Sequence, residues 1–225
     1  MKNSTQKAWV AVAVVMLVLL VDQLSKIWVK THMGLYDTIH ITDWYKIYFV
    51  ENNGMAFGIE AGGKLFLSLF RIIAVVLIVF YIRRLVRDNY KSGFIICVTL
   101  VLAGASGNII DSIFYGMIFE ASYPGHLSSF VPWGEGYSSF LHGKVVDMLY
   151  FPLISGTYPD WVPVVGGQEF LFFRFIFNIA DSAITVGVIL ILLFYRKTLS
   201  YSLLSKKERE DLEKEKEEKE ITGEI

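Results

Sequence analysis

The sequence predicts an all-α membrane protein, a four-transmembrane-helix bundle with a small extracytoplasmic β/loop subdomain. Three observations carry that prediction. Four apolar runs, at about 8–29, 65–82, 93–116 and 170–195, are each long enough to cross a hydrocarbon core ~30 Å thick. Basic residues gather at one end of those runs: Lys2 and Lys7, then Arg83, Arg84, Arg87 and Lys91, then Arg196, Lys197, Lys206 and Lys207. By the positive-inside rule they mark the cytoplasmic side. The bulk agrees, since 54% of residues are hydrophobic, mean hydropathy is +0.47 and net charge is -1. These values exclude an ordinary soluble domain and give no reason to expect a nucleic-acid partner. Residues 1–205 read as the membrane domain and 206–225 as a charged cytoplasmic tail with no chemistry.

The first run follows Lys2 and Lys7 but reads as a retained span, because its one A-x-A (Ala11 to Ala13) lies inside the apolar stretch rather than after it. Near its far end Asp22 and Lys26 are spaced i,i+4, either a snorkelling pair at the interface or part of a site. In the external segment 30–64, alternation through Trp44 to Val50 predicts a short strand or two, and Asn53-Gly54 is a tight-turn signal consistent with a hairpin. The second run contains Arg71. The third turns small and polar at Ala103 to Ser112 (AGASGNIIDS), where small residues permit close helix approach and Asn108 and Asp111 share a face.

The external segment 117–169 is rich in Gly, Pro and Ser. Its aromatic residues Phe130, Trp133 and Phe140 are expected to rest on the outer leaflet or to help close over a substrate. Asp147, flanked by Val145, Val146, Met148 and Leu149, reads in isolation as a loop aspartate or a helix cap. In the fourth run the spacing puts Arg174, Asn178 and Asp181 on one helical face. An aspartate inside a membrane helix costs roughly 2.5–3.5 kcal/mol to insert, which makes Asp181 a functional candidate.

With both termini inside, counting along the helices places Asn108 ~22 Å from the inner start of its span and Asp181 ~16 Å from the outer start of its own. The polar residues then converge on a site open to the outside. Cys97 is the single cysteine and no H-E-x-x-H spacing occurs, so neither a disulfide, a metal nor any other cofactor is expected.

Taken in order, Asp22-Gln23 with Lys26, Asn53-Gly54 with Ala56-Phe57, Gly104 with Gly107-Asn108 and Asp111, Val145-Val146-Asp147, and Phe177-Asn178 with Ala180-Asp181 resemble the lipoprotein signal peptidases, or signal peptidase II. The resemblance covers nearly the whole chain. It implies an aspartyl peptidase of the bacterial inner membrane, acting as a monomer. Its catalytic pair would be Asp147 and Asp181, supported by Asp22, Lys26, Asn53, Gly54, Asn108, Asp111 and Asn178. Its partners would be membrane lipid and a diacylglyceryl-modified prolipoprotein, cut before the modified cysteine on the periplasmic side. Two departures stand out. Ser112 replaces the arginine usual after the third-block aspartate, with Arg71 and Arg174 as candidate substitutes, and a long insertion separates Asp111 from Asp147. Competing readings are a small proton- or ion-coupled transporter using the buried charges as a relay, a membrane scaffold, and a rhomboid-type serine peptidase built on Gly104-Ala105-Ser106-Gly107.

Overall fold

A computed structural model describes residues 2–53 and 63–222; Gly54, Ala56 and Phe57 lie outside them. The long helix α1 (Lys2–His32) leads into strands β1 (Thr38–His40) and β2 (Lys46–Asn52). Helices α2 (Gly63–Arg87) and α3 (Ser92–Ile110) follow, and α3 runs through a π turn (Asp111–Tyr115) into the short α4 (Gly116–Ile118). Strands β3 (Val145–Tyr150), β4 (Ile154–Thr157), β5 (Glu169–Phe172) and β6 (Ile176–Phe177) precede α5 (Ile179–Phe194), α6 (Arg196–Leu203) and α7 (Lys206–Thr222).

Three helical segments, Ser4–His32, Lys64–Arg87 and Ser92–Ile118, are long and apolar enough to cross a membrane. Ile179–Phe194 qualifies only together with Arg196–Leu203, from which it is bent by 92°. The central helix is α3, whose apolar window is 61% buried against 11% for α1 and α2. Its small residues make that position possible. A Cβ on Gly104 would sit 2.1 Å from the Ala180 carbonyl oxygen, and one on Gly187 of α5 would sit 2.7 Å from the Cys97 carbonyl oxygen. The α3/α5 seam is therefore backbone against backbone, as the run AGASG predicts. Cys97 is a buried packing residue there, and the apolar cluster around it joins Ala11, Ile82, Leu85, Phe94 and Ile191.

The last apolar run is not one helix. In this aromatic stretch Glu169–Phe172 and Ile176–Phe177 pair as strands instead, and the helix starts only at Ile179, where Asn178 caps it. Arg174 consequently shares no helical face with Asn178 and Asp181; it is exposed and donates to the Leu171 carbonyl (3.2 Å). Asp181 lies in the first turn of α5 rather than ~16 Å along it.

The described residues between the helices are more ordered than a loop. A sheet of order β1-β2-β3-β6 carries Asp147 on the buried central strand β3, and β4 and β5 form a separate hairpin. β2 pairs with β1 and β3, so its hairpin turn precedes it at 41–45, on the other side from Asn53-Gly54. One face of the sheet joins Phe49, Val146 and Met148 to Val29, Tyr115 and Phe119. On that same side Glu51, opposite Val146, anchors the insertion. It pairs with buried Lys30 and with Lys144 (3.1 Å) and accepts from Ser122 (2.8 Å), which also meets Ser128 (2.9 Å). Burial raises the Glu51 pKa, but the Lys30 ammonium, Ser122 and Lys144 outweigh it and hold the carboxyl below its ordinary value.

The seam supplies a test. Gly104→Ala forces a methyl into the Ala180 backbone and is expected to destabilise by about 1–3 kcal/mol. Gly125→Ala, where a Cβ meets nothing within 4 Å but φ is +72°, is expected to cost about 1 kcal/mol through backbone strain alone. Thermal unfolding in detergent, ranking Gly104→Ala below Gly125→Ala, is the measurement.

Candidate active site

The site begins with a charge that had to be paired. One turn apart on α1, Asp22 and Lys26 are both fully buried, and an unpaired ion there would be strongly unfavourable. The Lys26 ammonium lies 2.9 Å from Asp22 Oδ2 and 2.8 Å from Asp111 Oδ2, and donates to Asn108 Oδ1 (3.0 Å). The pair is buried between helices and is not a snorkelling one. It also answers the departure at position 112: Lys26 neutralises Asp111, while buried Ser112 bonds back to the Asn108 carbonyl (3.0 Å). Gln23 donates to Asp111 Oδ1 (2.9 Å) and Asp22 Oδ2 (3.0 Å) and accepts from Tyr115 (3.2 Å). The other Asp22 oxygen accepts from the Ala180 N–H (2.9 Å), one of the orphan donors in the first turn of α5. Thus α1, α3 and α5 are tied at one level.

Above that layer Asn178 performs two tasks. As N-cap it forms a capping box with Asp181: its Oδ1 accepts from the Asp181 N–H (2.9 Å), and Asp181 Oδ2 accepts from the Asn178 N–H (3.4 Å). Its Nδ2 donates to Asp147 Oδ1 (2.7 Å) and to Asn108 Oδ1 (3.1 Å). Asn108 Nδ2 donates to Asp181 Oδ1 (2.7 Å), and Asn52 Nδ2 donates to Asp147 Oδ2 (3.2 Å). All four oxygens of Asp147 and Asp181 therefore accept from asparagine groups, and Arg71 of α2 adds a positive field felt by Asp181, Asp111 and Asp147.

Neutral donors orient these carboxylates without cancelling their charge. Burial, followed by the neighbouring charge of Asp181, pushes the Asp147 pKa up to about 7, while hydrogen bonds from Asn52 and Asn178 pull it down. A carboxyl that keeps its proton near neutrality beside a carboxylate is an arrangement suited to acid–base chemistry on one substrate atom.

Of the residues singled out in the sequence, Asp22, Lys26, Asn108, Asp111, Asp147, Asn178 and Asp181 come together. Asn53 is exposed, and its neighbour Asn52, which the sequence reading passed over, reaches Asp147. Strand alternation held that signal: Val50 is opposite Asp147 in the β2/β3 register, so Asn52, two residues on, lies on the Asp147 face. Ser106, the candidate serine nucleophile, donates to the Leu102 carbonyl (2.8 Å), an ordinary intrahelical back-bond. Among the described residues no group of three or more His, Cys, Asp or Glu is arranged to hold a metal ion.

Comparison with known proteins identifies the family. The family model of signal peptidase (SPase) II matches residues 14–196. A lipoprotein signal peptidase of Porphyromonas gingivalis is 51% identical over 199 residues, covering 88% of each chain. One from Amoebophilus asiaticus is 39% identical, covering 87% of this chain and 81% of its own. A solved bacterial membrane enzyme, 25% identical, superposes with a TM-score of 0.58 over 88% of this chain and 93% of that one. With matches of this extent at the levels of sequence, family and fold, the chain belongs to the signal peptidase II family.

Proposed function

We propose that the chain is an aspartic endopeptidase that removes the signal peptide from lipid-modified prolipoproteins, cleaving before the diacylglyceryl-cysteine, with Asp147 and Asp181 as its catalytic pair. The observation that carries this reading is the shared hold of Asn178 and Asn108 on two carboxylates, one from a strand and one from a helix start. Asp181, as carboxylate, takes a proton from a water molecule, and the water oxygen attacks the scissile carbonyl carbon. Asp147, as carboxylic acid, gives its proton to the carbonyl oxygen. On collapse of the tetrahedral intermediate the cysteine amine leaves with the proton held by Asp181, a hydroxyl of the intermediate returns its proton to Asp147, and the signal peptide departs with a new carboxyl group. Asn52, Asn108 and Asn178 orient the two acids; Asp22, Lys26 and Asp111 fix the helices beneath them.

In this reading four spans cross the bacterial inner membrane, with α5 in the fourth and α6 turned along the inner interface. Both termini are cytoplasmic, the site faces the periplasm, and one chain supplies the whole site, so a monomer suffices. Arg83, Arg84, Arg87 and Lys91, together at the end of α2 and the turn after it, support that orientation. A lipid-borne substrate explains why the acids stand where α5 meets the sheet.

Replacing either acid separately, as Asp147→Asn or Asp181→Asn, should reduce prolipoprotein cleavage by about 10²–10⁴-fold without loss of insertion or folding. Near-normal processing by a folded variant would remove that residue from the pair. Since Asp147 acts protonated and its pKa in the substrate-free chain is about 7, kcat/KM should fall as pH rises through about 7. Asn52→Ala removes a bond to the ionised form, raising that pKa and moving the falling limb to higher pH, whereas Asn53→Ala should leave the profile in place.

A further inference from the structure

From Phe151 to Asn178 the chain carries three charged residues, Asp160, Glu169 and Arg174, and a dense set of exposed apolar ones. The β4–β5 hairpin sorts them by face. Its register pairs Ile154 with Phe172 and Gly156 with Phe170 on one side, and Ser155 with Leu171 and Thr157 with Glu169 on the other. The first face is apolar. Phe170 lies across Gly156, where a Cβ would meet its ring at 2.9 Å, and Tyr158 stacks on Phe170 at 4.9 Å. The second face, with Tyr150 and Arg174 and with Gly156 and Phe170 at its edge, lines an open hollow of about 590 Å³. Ile154 is 57% exposed, Phe172 58%, and at the tip Trp161 is 81% and Val164 95% exposed. A two-stranded hairpin is marginal in water on its own, and such a surface is costly to leave wet.

The length of α5 indicates what covers it. Sixteen residues rise ~24 Å, whereas the hydrocarbon core is ~30 Å thick. Arg196 and Lys197 begin α6, which turns away by 92°, and hold the inner end at the interface. Ile179 then stops ~6 Å short of the far boundary of the core, and the segment just before it, Phe172 to Phe177, occupies the remaining depth. The base of the hairpin is therefore at membrane level and continuous with the lipid-facing side of α5, where Val186, Ile189 and Leu193 are exposed.

We propose that the β4–β5 hairpin is an interfacial anchor, its Ile154/Phe172 face and its Trp161/Val164 tip lying in the lipid of the leaflet into which the site opens. The inference rests on the reading that α5 crosses the membrane, and not on the chemistry of Asp147 and Asp181. Backbone groups of the hairpin are largely satisfied by its own ladder, and tryptophan at a bilayer interface is favoured by its amphipathic ring. The polar face remains toward the aqueous hollow.

Cys97, the chain's single cysteine, is buried, so a Cys97→Ala background allows nitroxide labels to be placed at Trp161→Cys, Val164→Cys and Thr157→Cys. In lipid nanodiscs, collisions with oxygen should exceed those with a water-soluble nickel chelate at 161 and 164, with the reverse at 157. Equal nickel access at all three positions overturns the proposal. So does protection of 161 and 164 that appears only after prolipoprotein is added, because the face then docks polypeptide rather than lipid. As a check in the otherwise unaltered chain, Trp161→Phe should reduce the quenching of tryptophan fluorescence by brominated lipid, and undiminished quenching counts against the anchor. Cleavage by Asp147→Asn is a separate readout, so failure of the anchor and failure of the aspartate pair are distinguishable.

Discussion

The structure depends on a single buried ammonium. Lys26 stands between Asp22 and Asp111 in a region where water cannot screen any of them, and the three charges are tolerable only as a set. Satisfying that set fixes which face of α1 meets α3 and, through Asp22 and the Ala180 N–H, where α5 begins. Hydrophobic packing alone would allow apolar helices to rotate or slide, since lipid is as good a partner as leucine. The ion pair removes that freedom. Its stabilisation is paid for by desolvation, so its contribution is one of specificity: one depth and one rotation for each helix.

On this platform the sheet adds the second acid. The buried strand β3 presents Asp147 to one face and Val146 and Met148 to the other, so the apolar contacts behind the sheet position the carboxyl in front of it. Three asparagines then connect strand to helix. Their amides can donate and accept at once, so Asn108 takes a bond from Lys26 and from Asn178 while giving one to Asp181. The polar layer below and the acid pair above are thereby a continuous network, with charge at its base and neutral donors at its top.

Much of this was legible in the residues. The i,i+4 spacing of Asp22 and Lys26, the small residues of α3, and asparagines three before an aspartate in two separate runs all pointed to a polar interior. What misled was the run from 170 to 195, where hydrophobicity persists through two different structures. Aromatic residues suit strands as well as spans, and the capping role of Asn178 becomes evident only once Asp181 is seen to be N3. Asn52 was missed because Asn53-Gly54 carries the stronger local turn signal, whereas the role of Asn52 comes from cross-strand register, which is non-local. The pairing of Lys30 with Glu51 and Ser122 was invisible for the same reason: the partners are 21 and 92 residues apart.

That last cluster constrains how such a chain can be rebuilt. The insertion between Asp111 and β3 is riveted to the back of the sheet by Ser122 and Lys144, and its counterparts, Lys30 and Glu51, belong to α1 and β2. Cutting the insertion out would leave the Lys30–Glu51 pair without Ser122 and Lys144, and transplanting it into a shorter homologue without both residues would leave Ser122 and Lys144 without these partners. Loop and framework therefore work as a unit, and a chimera must exchange two distant positions, Lys30 and Glu51, along with the contiguous segment.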